Sequence, residues 1–224
     1  MKKIWILVFL SVMCLSLKAQ SYADLEERDQ YTQNNKYLTV KGLKLKPGLK
    51  MEDALNYFLS KGFKKRTTFE NLKERDGYYA LEGDFFNIAS CHFDVTPTRN
   101  NPDVLGVVAI FLPERNSFRE LISDYNNLKQ ALCLKYNLNS SKEYFTNQNI
   151  DKSGTDKLKL YALQNNDAVF ESTFTLEADN LQMGFISLNI ESVNSNGNRR
   201  SYVTLTYATP DQVLESRKNI LDDI

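Results

Sequence analysis

The sequence contains a single histidine, His92, and only three cysteines, Cys14, Cys91 and Cys133, among its 224 residues. A transition-metal site is built from several imidazole or thiolate ligands at regular spacing, and this chain has no second histidine and no close cysteine pair. The glycine-rich patterns G-x-x-x-x-G-K-[ST] and G-x-G-x-x-G are missing, and so is the G-x-S-x-G turn of α/β-hydrolases. We therefore expect no metal and no cofactor, and the usual signatures of nucleotide binding are absent.

Long hydrophobic runs are equally scarce. The longest, Ile4–Leu17, has fourteen residues, fewer than the ~20 that a helix needs to cross a bilayer. Lys2 and Lys3 precede this run and the polar sequence Lys18-Ala19-Gln20-Ser21 follows it, which is typical of a cleavable signal peptide. We expect residues 1–20 to be removed on export, with the cut at or near Ala19 and no stable membrane span left.

Two other interpretations of the N-terminal segment stay open. The apolar run could be retained as a membrane anchor, or Cys14 could carry a lipid, although Met13 stands where a lipoprotein signal has a small residue. The expected location is the periplasm, with secretion or lipid anchoring as the alternatives.

Neither sign of charge dominates the chain. It has 28 basic and 28 acidic residues, and removal of Lys2, Lys3 and Lys18 leaves 25 basic residues and a formal charge of −3. A nucleic acid or an anionic membrane attracts a basic surface, so neither is an expected partner. About 200 residues remain, enough for one large domain or two small fused units.

The hydrophobic pattern predicts a helix and strands in the first half of the mature chain. A polar leader, 21–40, is followed by apolar residues at helical spacing from Met51 to Leu59, with Gly62 as the helix stop. Alternation then predicts strands at 79–85 and 89–95. The apolar run 104–112 predicts a central strand that ends at Pro113.

The second half repeats this order. Ser117 and Glu120 form a capping box for a helix predicted at 117–136. A polar linker (137–141) and a segment that fits a short helix or a strand (155–166) follow. Alternating residues predict three more strands around 170–176, 186–190 and 202–207, the last two joined by an Asn196-Gly197 turn.

This order predicts an α+β fold of two tandem helix and antiparallel-sheet units, with the helices on one face of the sheet and the other face open. The first unit would cover 41–137, with the helix 117–136 opening the second. Residues 138–210 would complete the second unit, and 211–224 would form a C-terminal helix or tail.

Several short motifs support a resemblance over roughly residues 40–210. These motifs are Gly42-Leu43, Pro47-Gly48, Gly62-Phe63, Phe111-Leu112-Pro113-Glu114 and Ser117-Phe118. They give the chain a resemblance to a group of uncharacterised exported Gram-negative proteins whose fold is similar to that of the β-lactamase-inhibitor protein and of the small lipoprotein of the outer-membrane assembly machinery. The resemblance implies a tandem module that grips other proteins on an open sheet face, and it implies no catalytic residues.

Aromatic and small polar residues alternate on the predicted solvent face of the strands. Such mixtures are typical of protein-binding surfaces. The expected function is therefore a non-enzymatic module that binds a protein partner in the cell envelope, with an envelope scaffold as the alternative and a hydrolase as a weaker one. The candidate binding residues are Tyr78, Phe86, His92, Phe185, Ser187, Asn189, Tyr202 and Thr204.

Two groups of residues have the composition needed for catalysis or for a covalent link. Ser90, His92 and Asp94 have the composition of a catalytic triad, but positions two apart on a strand are separated by roughly 6.5–7 Å and project in parallel, so the geometry argues against the contacts of about 3 Å that a triad needs. Cys91 and Cys133 could form a disulfide between strand and helix, or remain separate buried thiols.

Overall fold

The computed structural model describes residues 36–66, 77–178, 181–195 and 198–222. The predicted signal peptide, the leader up to residue 35 and the Asn196-Gly197 turn lie outside these residues. In chain order the elements are β1 (Thr39–Val40), β2 (Leu43–Lys44), α1 (Met51–Ser60), β3 (Lys64–Lys65), β4 (Tyr79–Phe85), β5 (Ile88–Pro97), β6 (Leu105–Phe111), α2 (Phe118–Cys133), β7 (Asn137–Phe145), α3 (Gln148–Ser153), α4 (Asp156–Gln164), β8 (Ala168–Ala178), β9 (Leu181–Ser195), β10 (Asn198–Ala208) and α5 (Pro210–Asp222).

Eight strands form a single antiparallel sheet in the order β3-β4-β5-β6-β10-β9-β8-β7. The predicted class of two tandem units is therefore wrong, although the mixture of helix and antiparallel sheet is retained. β6 pairs with β10 from Val107↔Ala208 to Phe111↔Thr204, which joins the strands of both halves. Separate units would each leave a long strand edge without partners, and the pairing removes both edges.

The helices do not repeat as two equivalent units. α1, α2 and α4 pack on the face that holds the core, as shown by the Phe58 and Phe93 rings and by the bond between Tyr125 and Ser172. α5 instead contacts β6 and β9, the two neighbours of β10. No helix in the described part of the chain combines the length and the hydrophobicity needed to cross a membrane.

The predictions of individual helices and strands agree with the structure better than the prediction of the overall architecture does. Ser117 is confirmed as the N-cap of α2, since its Oγ accepts the Glu120 N–H at 3.2 Å and the helix begins at the next residue, while the Glu120 carboxylate accepts the Ser117 hydroxyl at 2.9 Å. Gly62 has a φ of +88° just past α1, which confirms it as the helix stop. The predicted strands correspond to β4, β5, β6, β8, β9 and β10, and the ambiguous segment 155–166 is helical.

The prediction of a polar linker at 137–141 is wrong, because these residues belong to β7. This strand is the edge of the sheet, and all of its residues except Phe145 are exposed. An edge strand that is wet on both faces has no alternation of apolar residues, so the pattern that identifies strands elsewhere is missing here.

The core lies on one face of the sheet in rows that run across the strands. In one row Leu81, Phe93, Ile110, Leu205 and Leu188 face one another directly, and all five are fully buried. Because every second residue of β4, β5, β6, β10 and β9 faces this core, the intervening residues of these strands are placed on the opposite face.

A polar network ties α2 to the edge strand on the core side. The Tyr125 hydroxyl lies 2.7 Å from Ser172 Oγ and donates to Glu143 Oε1 at 3.1 Å, while Lys129 Nζ donates to Ser141 Oγ and to Glu143. Burial raises the pKa of Glu143, but the hydrogen bonds from Lys129 and Ser141 outweigh it and hold the pKa below its usual range.

The network should make stability pH-dependent in acid. A carboxyl whose pKa is depressed by folding stabilises the protein above its unfolded pKa of about 4.3 and loses that contribution as the pH falls through the folded value. We expect Glu143→Gln to cost about 1 kcal/mol near pH 7, and the cost should shrink below about pH 4.3. Urea unfolding from pH 7 to pH 3 measures it. In a Lys129→Met background the cost should be smaller, and a cost that is constant with pH would contradict the prediction.

Candidate binding site on the outer sheet face

The face opposite the core, here called the outer face, carries a row of polar and aromatic side chains. His92, Phe111, Thr204 and Asn189 lie directly opposite one another on β5, β6, β10 and β9. Adjacent strands are about 4.8 Å apart, so this row spans roughly 15 Å. Two residues away along the same strands, the next row is formed by Asp94, Ala109, Thr206 and Ser187.

A cleft with a volume of about 440 Å³ opens on this face. Its centre is aromatic, since the rings of Phe111 and Tyr202 meet edge to face with centroids 5.9 Å apart. Both side chains are half-buried, so each packs on the sheet and still presents surface to a ligand. The residues that line this outer cleft are Arg66, Ser90, His92, Asp94, Phe111, Leu112, Pro113, Glu114, Arg200 and Tyr202.

Charged groups stand at the margins of the outer cleft. Arg200 Nε lies 3.7 Å from Glu114 Oε2, and the side chains are 61% and 42% exposed. Asp94 accepts a hydrogen bond from the Tyr78 hydroxyl. Burial and this bond both raise the pKa of Tyr78. The formal charges of the carboxylates and guanidinium groups that line the cleft balance. The positions of these groups, and not a net charge, therefore decide which ligand groups the cleft attracts.

His92 is half-buried in the outer cleft. Burial lowers the pKa of its imidazole, and the nearby Arg66 lowers it further, against the opposite influence of Glu82 and Asp94. The imidazole is therefore neutral near pH 7 and can both donate and accept a hydrogen bond.

The structure does not assemble Ser90, His92 and Asp94 into a triad. Ser90 has a left-handed φ of +57° beside a β-bulge, and its N–H donates to Asp84 Oδ1 at 3.3 Å. The Asp94 carboxylate bonds to the Tyr78 hydroxyl, and His92 stands two positions from Asp94 on the same strand. Together these three residues form a polar surface of the cleft that a ligand can contact.

Three of the small polar candidates are engaged within the sheet. Asn189 Nδ2 donates to Ser187 Oγ at 2.9 Å, and Thr204 Oγ1 donates to Glu191 Oε1 at 2.9 Å. Thr204 is only 2% exposed. These side chains stabilise the sheet surface next to the outer cleft, and none of the three lines the cleft itself.

The four candidate aromatics do not form one patch. Tyr202 lines the outer cleft and Tyr78 contacts it through Asp94. Phe185 is opposite Ala208, six residues along β10 from Tyr202, so the two aromatics are roughly 20 Å apart on the outer face. Phe86 occupies the turn between β4 and β5 with a φ of +50° and is 44% exposed.

Sequence reasoning missed Arg66, Phe111, Glu114 and Arg200 as parts of the site. Phe111 belongs to the apolar run of the central strand, so its hydrophobicity indicated core. Arg200 follows the predicted hairpin turn, and its alternation with Tyr202 and Thr204 was the one available signal. The approach of Arg66 and Glu114 to these residues depends on strand order, which the sequence does not encode locally.

No disulfide joins Cys91 and Cys133. The Cys91 thiol donates to the Ile88 carbonyl at 3.4 Å, and burial raises its pKa to about 11. Cys91 interacts electrostatically with Asp124, which lies nine residues before Cys133 on α2, or about 13 Å along the helix axis. A fully buried, protonated thiol is a poor nucleophile.

Among the described residues, no group of three or more His, Cys, Asp or Glu side chains is arranged to hold a metal ion. Comparisons of the chain with protein-family models, with curated proteins and with solved structures gave no match. The resemblance to exported β-lactamase-inhibitor-like proteins therefore stays a prediction.

Proposed function

We propose that this chain is an exported, non-enzymatic binding module that holds a protein partner of the cell envelope in the outer cleft. The observation that carries the proposal is the pair of half-buried aromatics, Phe111 and Tyr202, at the centre of a cleft with charged margins. Tyrosine and arginine, with tryptophan, are enriched among the residues that dominate protein–protein binding energy.

The surroundings of this pair favour recognition of an extended protein segment. The aromatic centre provides apolar area, and the guanidinium, carboxylate, imidazole and hydroxyl groups around it provide directional hydrogen bonds. Apolar centres with polar rims are the usual organisation of protein interfaces. The rigid sheet below pre-organises the surface, which lowers the entropy lost on binding.

The same geometry gives little support to hydrolysis. A hydrolase of the serine type needs a nucleophile, a base and an orienting carboxylate in hydrogen-bond contact. Here Asp94 accepts the Tyr78 hydroxyl, and Ser90, beside a β-bulge, His92 and Asp94 are spaced two positions apart along β5, so the cleft offers contact groups without a prepared nucleophile.

Replacing Tyr202 by serine tests the proposal. The change removes the aromatic contact and the phenol, and we expect at least a tenfold loss in the partner captured from an envelope extract by cross-linking to the purified chain. Tyr144→Ser is the matched control, because Tyr144 is 51% exposed on β7 and lies outside the outer cleft. Both variants should keep the wild-type circular dichroism spectrum. Equal capture by wild type and a folded Tyr202→Ser variant would refute the proposal.

A further inference from the structure

We infer that the outer cleft selects an extended segment in which an acidic residue stands two positions from an aromatic residue, with Arg200 binding the acidic side chain. This inference rests on the proposed function, since it names the chemistry of the partner at the same site. It follows from the exposure of Arg200, from the spacing of Arg200 and Tyr202, and from the positive charge of Arg66 on the far side of the cleft.

Arg200 is weakly held in the free protein. Its Nε atom is 3.7 Å from Glu114 Oε2, which is longer than a hydrogen bond, and the side chain is 61% exposed. Exposed ion pairs of this kind contribute little stability. A planar guanidinium binds a carboxylate through two parallel N–H donors, so an incoming carboxylate can form a better contact than Glu114 does.

The spacing on β10 sets the spacing in the ligand. Arg200 and Tyr202 are two residues apart on the same strand, and both face the outer cleft. Their side chains are therefore separated by about 6.5–7 Å. In an extended peptide the side chains of residues i and i+2 have the same separation and also point the same way. A Glu-x-Phe segment thus places its carboxylate at Arg200 and its ring on Tyr202 and Phe111.

Two features of the cleft decide whether its own carboxylates would oppose an acidic ligand. Asp94 already accepts the Tyr78 hydroxyl. Arg66 lowers the pKa of both Tyr78 and His92, so its positive charge acts on the side of the cleft that holds His92 and Asp94. Glu114 remains as a competitor for Arg200. Removing the Glu114 charge should therefore strengthen binding of an acidic peptide, the opposite of the effect of removing Arg200.

The neighbouring arginine supplies a matched control. Arg199 precedes Arg200 on β10 and faces the other way, with its guanidinium 5.6 Å from the centre of the Tyr161 ring on α4. Arg199→Gln and Arg200→Gln change the net charge of the protein equally. Only Arg200→Gln removes a group from the outer cleft.

The test uses the purified chain and two fluorescein-labelled nonapeptides, Gly-Ser-Thr-Glu-Thr-Phe-Thr-Ser-Gly and its counterpart with Gln in place of Glu, in fluorescence anisotropy titrations. We expect wild type to bind the Glu peptide at least tenfold more tightly than the Gln peptide. Arg200→Gln should weaken binding of the Glu peptide about tenfold, Arg199→Gln by less than twofold, and Glu114→Gln should tighten it two- to fivefold. Thermal melts check that each variant is folded.

Equal affinities for the Glu and Gln peptides would overturn the inference, and so would equal effects of the two arginine substitutions or no binding of either peptide. The proposed function is tested separately, by the capture of a partner from the envelope extract. A partner that is lost with Tyr202→Ser but retained with Arg200→Gln leaves the binding module intact and refutes only the acidic preference. A partner that survives Tyr202→Ser refutes both.

Discussion

Replacing Phe93 by alanine is expected to lower the free energy of unfolding by about 3–5 kcal/mol, the cost of deleting a large aromatic side chain from a closed core. Phe93 is fully buried on β5. Its ring contacts those of Phe58, Phe63 and Phe85, with centroids 5.9, 4.7 and 6.0 Å away. The loss should appear as a lower urea midpoint and as a melting temperature that falls by roughly 10 °C.

The environment of Phe93 leaves little room for collapse around a cavity. Phe63 packs where a side chain on Gly83 would stand, so this ring is already wedged between α1 and the sheet. The same strand turns His92 and Asp94 to the outer cleft, so loosening β5 should also weaken peptide binding there. This couples the aromatic cluster on one face to the candidate site on the other.

Phe86→Ala is the control for Phe93→Ala, because it deletes the same atoms from a ring that is 44% exposed in the β4–β5 turn. Its expected cost is below about 1 kcal/mol, since part of the ring is already in water. Similar costs for the two substitutions would show that the cluster around Phe93 does not hold the sheet together.

Replacing Glu215 by alanine should cost about 2–3 kcal/mol. Glu215 lies on α5, is 7% exposed, and accepts the backbone N–H groups of Arg99 and Asn100 at 3.0 and 2.7 Å. Hydrogen bonds to a charged acceptor are worth more than neutral ones, and both are lost together. Chemical unfolding monitored by circular dichroism measures the change.

Glu215→Gln and Leu214→Ala separate the causes. Glutamine keeps one oxygen acceptor and loses the charge, so it should cost roughly half as much as alanine. Leu214 is next in the chain and 53% exposed, and its truncation should cost less than about 1 kcal/mol. If Glu215→Ala costs no more than Leu214→Ala, the carboxylate does not tie α5 to the β5–β6 loop.

The sequence indicated only a small part of the candidate site, since His92 and Tyr202 are the two candidate binding residues that line the outer cleft. His92 and Tyr202 were identified because they alternate with buried residues on strands that are wet on one face. Thr204, on the same strand as Tyr202, was identified by the same pattern, yet it is 2% exposed and bonded to Glu191. Alternation assigns a residue to a face of the sheet, and contacts with neighbouring strands then decide whether it is reachable.

Phe86 shows a second limit of the pattern. It was placed on a sheet face because it lies among alternating residues, but Phe86 and Asn87 both have positive φ and form the hairpin turn. Asn-containing turns with positive φ at both central residues are common between antiparallel strands. The two consecutive phenylalanines, Phe85 and Phe86, concealed this turn, because only Phe85 belongs to the core.

Local sequence determined the elements of this protein. Alternating and helical spacing of apolar residues fixed most strands and helices, Ser117 and Glu120 fixed the start of α2, and Gly62 fixed the stop after α1, because these signals depend on residues a few positions apart. The tertiary structure decided how the elements combine. Only the pairing of β6 with β10 merges the two halves into one sheet and places Phe111 and Glu114 beside Tyr202 and Arg200. That pairing joins residues 93 to 101 positions apart. Many antiparallel arrangements satisfy the same local pattern, so the outer cleft is a property of the folded sheet and of no single segment.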